Sequence, residues 1–438
     1  MANSDKLSIR LCEWASRSAA ELTTPQREDI HSVIIEWSRL AGIPDLPLRF
    51  QGPNGTTLSA SHYVGVVEVG DVCIEIFPKL DQALLDKDFP SCETQTRTLM
   101  ANLLWMMETC RYMDLIETDM AYLSSAPVSF YDIIAYLLAK RLRSDLEAGI
   151  PHFYVFAEDD LHTIRGRIEI QKQISRYCNR PDRIICSWDN YTVDIPLNRL
   201  FKCTCRVLRT RVSNPAASHL LDQCYDLLDG VSDASPREAI IEIGRFRWHK
   251  GIDRFRECFD VAVRLLAGTS YEIGIGEEKN FVFLIDMNSL FESFVGAVLA
   301  ASFGVKIRVQ NTIGSLFTSP ECIHQRPDYL WFYDGHSWVG DAKYKILADD
   351  GRQGNSPSFK DLSPHDVRQL SVYADMIRET GREPPSIALL YPFVGDVFPS
   401  ISPATTWNGS AFWIVPVRVT RPQREITDIH SLMPRGFP

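Results

Sequence analysis

The chain has 438 residues, a formal net charge of −10, 45% hydrophobic residues and 11% aromatic residues. That length suits two or three separate cores, and the composition excludes a disordered or fibrous protein. The first residues carry no apolar stretch of the signal-peptide kind and no run of eighteen apolar residues occurs, so a cytoplasmic protein without membrane spans is expected.

The first region, residues 1–90, reads as β-rich with one helix. Thr24 to Arg39 has helical periodicity, with Thr24 as its N-cap and Pro25 at its first position. Val64 to Val69 and Val72 to Phe77 flank Gly70-Asp71, a hairpin signal. The second region, residues 91–270, reads as mainly helical. Ser129 to Leu146, Pro196 to Val212 and Arg254 to Leu266 are its clearest helices. Phe153 to Ile174 reads as short strands around Arg165-Gly166-Arg167. From Ala139 to Arg211 there are 14 Lys and Arg against 9 Asp and Glu, a local surplus of +5 in an acidic chain. Such a surplus is either a phosphate-gripping surface or a solvated helix face. The 11 cysteines have no repeating spacing beyond Cys203 and Cys205, so buried, reduced thiols are expected rather than a zinc site.

The third region, residues 271–438, follows a Gly- and Glu-rich linker at Gly268 to Asn280. It reads as an α/β sandwich around a central mixed sheet. Ser289 to Phe303 is a helix, with Asn288 as N-cap and Gly304 as its stop. Val305 to Val309, Tyr329 to Tyr333, Trp338 to Ile346 and Ser386 to Tyr391 read as strands. Pro364 to Arg378 is a helix between Ser363 and Gly381. The whole chain is thus expected to be multidomain, α+β and α/β.

The chemistry concentrates between Arg326 and Lys343. Asp334-Gly335 is a strong two-residue turn. It pairs Tyr333 with His336 and, counting outward, Asp328 with Asp341, whose Cβ atoms would stand about 4.5–5.5 Å apart. A four-residue loop would pair Asp328 with Lys343 instead. Two facing carboxylates repel unless a cation lies between them, and Mg²⁺, an oxygen-seeking ion that keeps several waters, suits such a pair. Mn²⁺ suits the same ligands. Lys343 leaves the strand on the same face as Asp341. The flanks Leu330, Phe332, Trp338, Val339 and Ala342 are apolar, which argues against a solvated surface hairpin. Glu292 is the only charge on its helix and lies among apolar neighbours; it is either a metal ligand, a group that steadies the ligands, or half of a structural ion pair. Gln369 and Tyr373 share a helix face, as site residues or as core.

Pro327-Asp328, Asp341-Ala342-Lys343, Glu292 and Gln369-x-x-x-Tyr373 together resemble the PD-(D/E)xK nuclease pattern. With Cys73 to Lys79, Ile164 to Arg167, Ile195 to Arg199 and Asp286 to Glu292 in this order, nearly the whole chain resembles the McrC family, the nuclease subunits of McrBC-type modification-dependent restriction systems. The resemblance implies a restriction-endonuclease-like third domain and Mg²⁺-dependent cleavage of modified (5-methylcytosine type) double-stranded DNA. It assigns Asp328, Asp341 and Glu292 to the metal, and Lys343, Gln369 and Tyr373 to catalysis beside them. It also implies an AAA+ GTPase ring of the McrB kind as partner, stimulated by this chain, and a second copy of the chain for the other DNA strand. The chain carries no P-loop motif of its own. Two alternatives stay open: a related nuclease attached to a different motor, and a non-catalytic adaptor of a ring.

Overall fold

A computed structural model describes residues 7–43, 45–79, 93–110, 130–177, 182–269, 280–315, 317, 323–345, 362–378, 383–394, 398–420, 432–434 and 437. The first sheet has four strands in the order Leu7–Cys12, Val72–Phe77, Tyr63–Val69 and Phe281–Asp286. The hairpin expected around Gly70-Asp71 forms, and the first strand adds to it in parallel. Every residue of Tyr63–Val69 is buried. The cause is cover on both faces. Val67, Ile74 and Val282 pack with the helix Thr24–Ala41, while Val64, Val66 and Phe281 pack with the helices of the middle of the chain.

The strand Phe281–Asp286 corrects the boundary read at residue 271. It pairs antiparallel with Tyr63–Val69, so the first sheet is completed by chain assigned to the third region. Gly65 permits this approach: a Cβ there would stand 2.0 Å from the carbonyl oxygen of Phe283. Two caps also differ by a residue or two from the sequence reading. Thr23, not Thr24, caps the first helix, because its hydroxyl accepts from the amide of Gln26 while the Gln26 side chain accepts from the amide of Thr23. Asp286, not Asn288, caps the helix Met287–Phe303, since its carboxylate accepts from the amides of Asn288 and Ser289. Gly304 ends that helix with φ 61°, as expected.

The middle region is helical, with Glu93–Thr109, Phe130–Glu147, Pro196–Arg209, Pro215–Leu227, Pro236–Ile243 and Arg256–Thr269 sharing one core. In place of short strands, residues 153–177 and 182–192 form an arm. Phe153–Leu161 pairs over nine residues with Ile184–Thr192, a strand the sequence did not announce. The two-residue strand Arg167–Ile168 and the helix Ile170–Tyr177 lie against it. Gly166 has φ 69° and passes so close to the second strand that a Cβ would stand 2.4 Å from the carbonyl oxygen of Ser187. Tyr154, Phe156, Ile164, Ile170, Ile174 and Tyr191 on this arm are each at least 60% exposed.

The second large sheet has six strands in the order Arg308–Val309, Tyr329–Tyr333, His336–Ala342, Ser386–Phe393, Ala411–Arg418 and Ala404–Thr405. Its centre is parallel and its flanks antiparallel, the mixed sheet expected. The strand read as Trp338 to Ile346 stops at Ala342, where the chain bends so that the amide of Lys345 donates to the carbonyl of Lys343. The strand read over Val305 to Val309 shrinks to its last two residues. Gly381 and most of the linker at Gly268 to Asn280 lie outside the described residues. The described cysteines are all free, and six of the eight are buried. Among the described residues no helix is long and apolar enough to cross a membrane.

Candidate metal centre

The Asp334-Gly335 turn forms with φ of 47° and 80°, the positive angles that a two-residue hairpin loop requires. Tyr333 faces His336 and Tyr329 faces Gly340, so the register is the two-residue one. One step further out, the amide of Ala342 donates to Asp328 Oδ2 at 2.8 Å. Asp328 and Asp341 are therefore brought together at the open end of the hairpin. Asp341 is 2% exposed. Lys343 Nζ lies 2.6 Å from Asp341 Oδ2.

The electrostatics are those of a crowded, desolvated acid pair. Burial, then the charge of Asp341, push the Asp328 carboxyl up to about 8. Burial raises Asp341 as well, against the pull of Lys343. Burial alone would lower the Lys343 ammonium, but Asp341, Asp328 and Asp366 together raise it. One lysine thus serves more negative charge than it neutralises. Two desolvated carboxyls whose ionisation is opposed by burial, and in Asp328 also by its neighbour's charge, are a donor set that fits a divalent cation.

Glu292 is on the inward side of its helix, and its charge is felt at Asp328. Its carboxylate accepts from Gln310 Nε2 at 2.7 Å, and its carbonyl accepts from the Tyr329 hydroxyl at 2.5 Å. None of the readings of Glu292 from sequence anticipated an amide partner. Among the described residues no three His, Cys, Asp or Glu side chains stand in a ready-made ligand arrangement. The two aspartates form the nucleus of the candidate site, and the Gln310 bond engages only Oε1 of Glu292. Gln369 Nε2 donates to the Tyr373 hydroxyl at 2.7 Å, so this pair forms, and Tyr373 senses the charges of Asp341, Asp328 and Lys343.

Sequence reasoning missed three contributors. Asp366, buried in the first turn of the helix Pro364–Ile377, holds Lys345 Nζ at 3.0 Å and adds its charge to the site. A first-turn Asp reads as a favourable helix end, which hides it. Gln310, with its φ of 48°, has no motif around it. Glu13 is fully buried in the turn just after the strand Leu7–Cys12; one of its oxygens accepts from the amide of Lys79 at 2.9 Å and from the Tyr344 hydroxyl at 2.6 Å. Tyr344 follows Lys343 and packs against Phe291, which precedes Glu292, so the first sheet supports the back of the site.

No curated protein matches the chain. Among solved structures it is similar to a chain in the refined half-complex from a tetradecameric assembly of Thermococcus gammatolerans McrB AAA+ hexamers with bound McrC, with TM-score 0.64 and 19% identity, covering 94% of each chain. A second likeness, to a chain of the Thermococcus gammatolerans McrBC complex, has TM-score 0.48 and 20% identity over 69% of this chain and 89% of that one. Residues 58–392 match the family model described as McrBC 5-methylcytosine restriction system component, and the chain belongs to that family.

Proposed function

We propose that this chain is the DNA-cutting component of a modification-dependent restriction system, hydrolysing phosphodiester bonds with Mg²⁺, or Mn²⁺ in its place, in a restriction-endonuclease-like third domain. The observation that carries this reading is the pair Asp328 and Asp341, desolvated against each other with Lys343 alongside. Asp328 and Asp341 would hold the ion, with Glu292 joining them. When bound, the ion supplies a Lewis acid for the phosphate and lowers the pKa of attacking water. Lys343 keeps its proton and offers a positive charge to the phosphate oxygens as negative charge builds there. Tyr373, oriented by Gln369, presents a hydroxyl to the same space. Val339 and Leu389, buried on the same face of the sheet as Asp341, keep bulk water from screening these charges.

An AAA+ GTPase ring is the partner we infer, for assembly of this chain and for movement along modified DNA. Support comes from family membership and from the arm, whose row of exposed aromatic and aliphatic side chains is the kind of surface that protein partners cover. A second copy of the chain would cut the opposite strand. The arm alone suits an adaptor equally well, and the acid pair is what favours a nuclease. The deciding experiment is co-expression with the adjacent gene product, then cleavage of methylated and unmethylated duplex with Mg²⁺, with and without GTP. Efficient cutting by the chain alone, indifferent to nucleotide, removes the partner reading. No cutting by the reconstituted assembly under any nucleotide leaves the adaptor.

A further inference from the structure

Most of the described cations between Ala139 and Arg211 are already paired with carboxylates. Arg141 pairs with Asp145 at 3.1 Å, Arg143 with Glu147 at 3.4 Å and Arg183 with Asp160 at 3.3 Å. Arg199 holds Asp194 at 2.7 Å and Glu242 at 3.1 Å, Arg211 reaches Glu68 at 3.5 Å, and Lys172 grips Glu158. These residues spend their charge inside the protein.

The segment from Arg245 to Arg256 behaves differently. It carries Arg245, Arg247, Lys250, Arg254 and Arg256 against one acid, Asp253. All five cations are exposed. Asp253 accepts from the Trp248 indole N–H at 2.6 Å instead of pairing with any of them. Arg254 is tied to the carbonyl of Gly149, and Arg256 stacks on the Trp248 ring at 3.9 Å beside Asp260. Arg245, Arg247 and Lys250 have no carboxylate partner among the described residues. The backbone that carries them is anchored at Ile252 and Phe255, both buried, while Phe153 packs on Phe246 and His249. The cations are therefore presented from a fixed base, not from a floppy tail.

We propose that this segment is a second, non-catalytic DNA-holding surface, in which Arg245, Arg247 and Lys250 bind backbone phosphates of duplex DNA. The inference rests on DNA being the substrate. A chain of net charge −10 whose cutting site is itself acidic repels a polyanion. Holding one requires cations left unneutralised by the protein, and phosphate contacts of this kind position the duplex without reading its sequence. An acidic face of a protein partner is the competing occupant.

The test is fluorescence anisotropy of the full chain with a labelled 30-base-pair duplex of roughly three helical turns in EDTA, so that cutting plays no part, over about 50–200 mM salt. The variant Arg245→Gln/Arg247→Gln/Lys250→Gln is compared with Lys172→Gln, which removes a cation already paired. The triple variant is expected to bind at least about tenfold more weakly, with a salt slope shallower by about 0.9 for each phosphate that is no longer neutralised. Lys172→Gln should bind as the unsubstituted chain does. An unchanged affinity and slope in the triple variant, an equal loss in Lys172→Gln, or no salt-dependent binding by the unsubstituted chain would each overturn the proposal. So would intact DNA binding with loss of ring assembly, which would hand the surface to the protein partner. Since no outcome here reads cleavage, the two readings fail separately: a reconstituted assembly that holds DNA through this segment but does not cut it with Mg²⁺ and GTP sinks the nuclease reading and leaves this one standing.

Discussion

The arm at residues 153–177 and 182–192 and the hairpin at residues 329–342 are both antiparallel pairs, yet they resolve their polarity in opposite ways. The arm leaves Tyr154, Phe156 and Tyr191 in solvent while pairing Lys172 with Glu158 and Arg183 with Asp160. The hairpin buries Tyr329, Trp331 and Trp338 and leaves two carboxyls short of counter-charge at its open end. Each is left with the one thing folding alone would have removed. Uncovered apolar surface asks for a protein partner, and unneutralised buried acid asks for a cation. A protein selected only for stability would show neither.

The comparison breaks first at Asp341. Asp341→Ala should lower cleavage by the reconstituted assembly at least about 100-fold. Assembly with the ring, followed by sedimentation, should stay intact, because the change lies away from the arm. Normal cleavage by this variant would show that the acid pair is not the catalytic site. Next comes the arm. Tyr154→Ser with Phe156→Ser should weaken ring assembly by roughly 10- to 100-fold, the usual consequence of removing aromatic anchors. The melting temperature should not fall, since both side chains are already in water. A lowered melting temperature with unchanged assembly would mean that the arm's aromatics are structural.

The acid pair also sets a pH dependence. The folded Asp328 carboxyl, at about 8, lies above its unfolded value near 3.9, so the folded state holds the extra proton between them. The metal-free protein should then lose stability as pH rises from about 4 to about 8, and Asp328→Asn should flatten that part of the melting profile. Added Mg²⁺ should stabilise most at the upper end, where it no longer competes with the proton. Thermal melts across that range, with and without the ion, decide it; a Mg²⁺ effect that is largest at low pH contradicts the assignment. The smallest effect belongs to Gln369→Ala. It frees the Tyr373 hydroxyl without removing it, so cleavage should fall by less than about tenfold, within the range for one neutral hydrogen bond. A loss as large as that of Asp341→Ala would place Gln369 in direct contact with the reacting groups.

What could be read from the sequence was what local chemistry fixes. Asp334-Gly335 dictates a turn with positive φ at both residues, and the turn dictates which carboxylates meet. Gly304, Ser363 and Pro364 mark helix ends for the same kind of reason. Long-range pairings stayed hidden. Nothing in Phe281–Asp286 states that its partner is Tyr63–Val69, because an apolar run fits any two-sided interior. The strand Ile184–Thr192 escaped notice because its outer half, Trp188 to Thr192, is polar and partly exposed, unlike a core strand. Asp366 and Glu13 were invisible for a further reason: each reaches the site through tertiary contact alone, with no spacing to betray it.

The hydrogen bond from Tyr344 to Glu13 joins residues 331 positions apart. Translation delivers Glu13 early and Tyr344 late, with the strand Phe281–Asp286 needed in between to close the first sheet. A polypeptide truncated before residue 281 has an open sheet edge and no acid pair. A fragment starting after the first sheet has the acid pair but has lost the carboxylate that holds Tyr344. Neither half of a broken chain inherits a supported acid pair. Under the proposed nuclease function, that interdependence would keep incomplete or proteolysed copies harmless to the cell's own DNA.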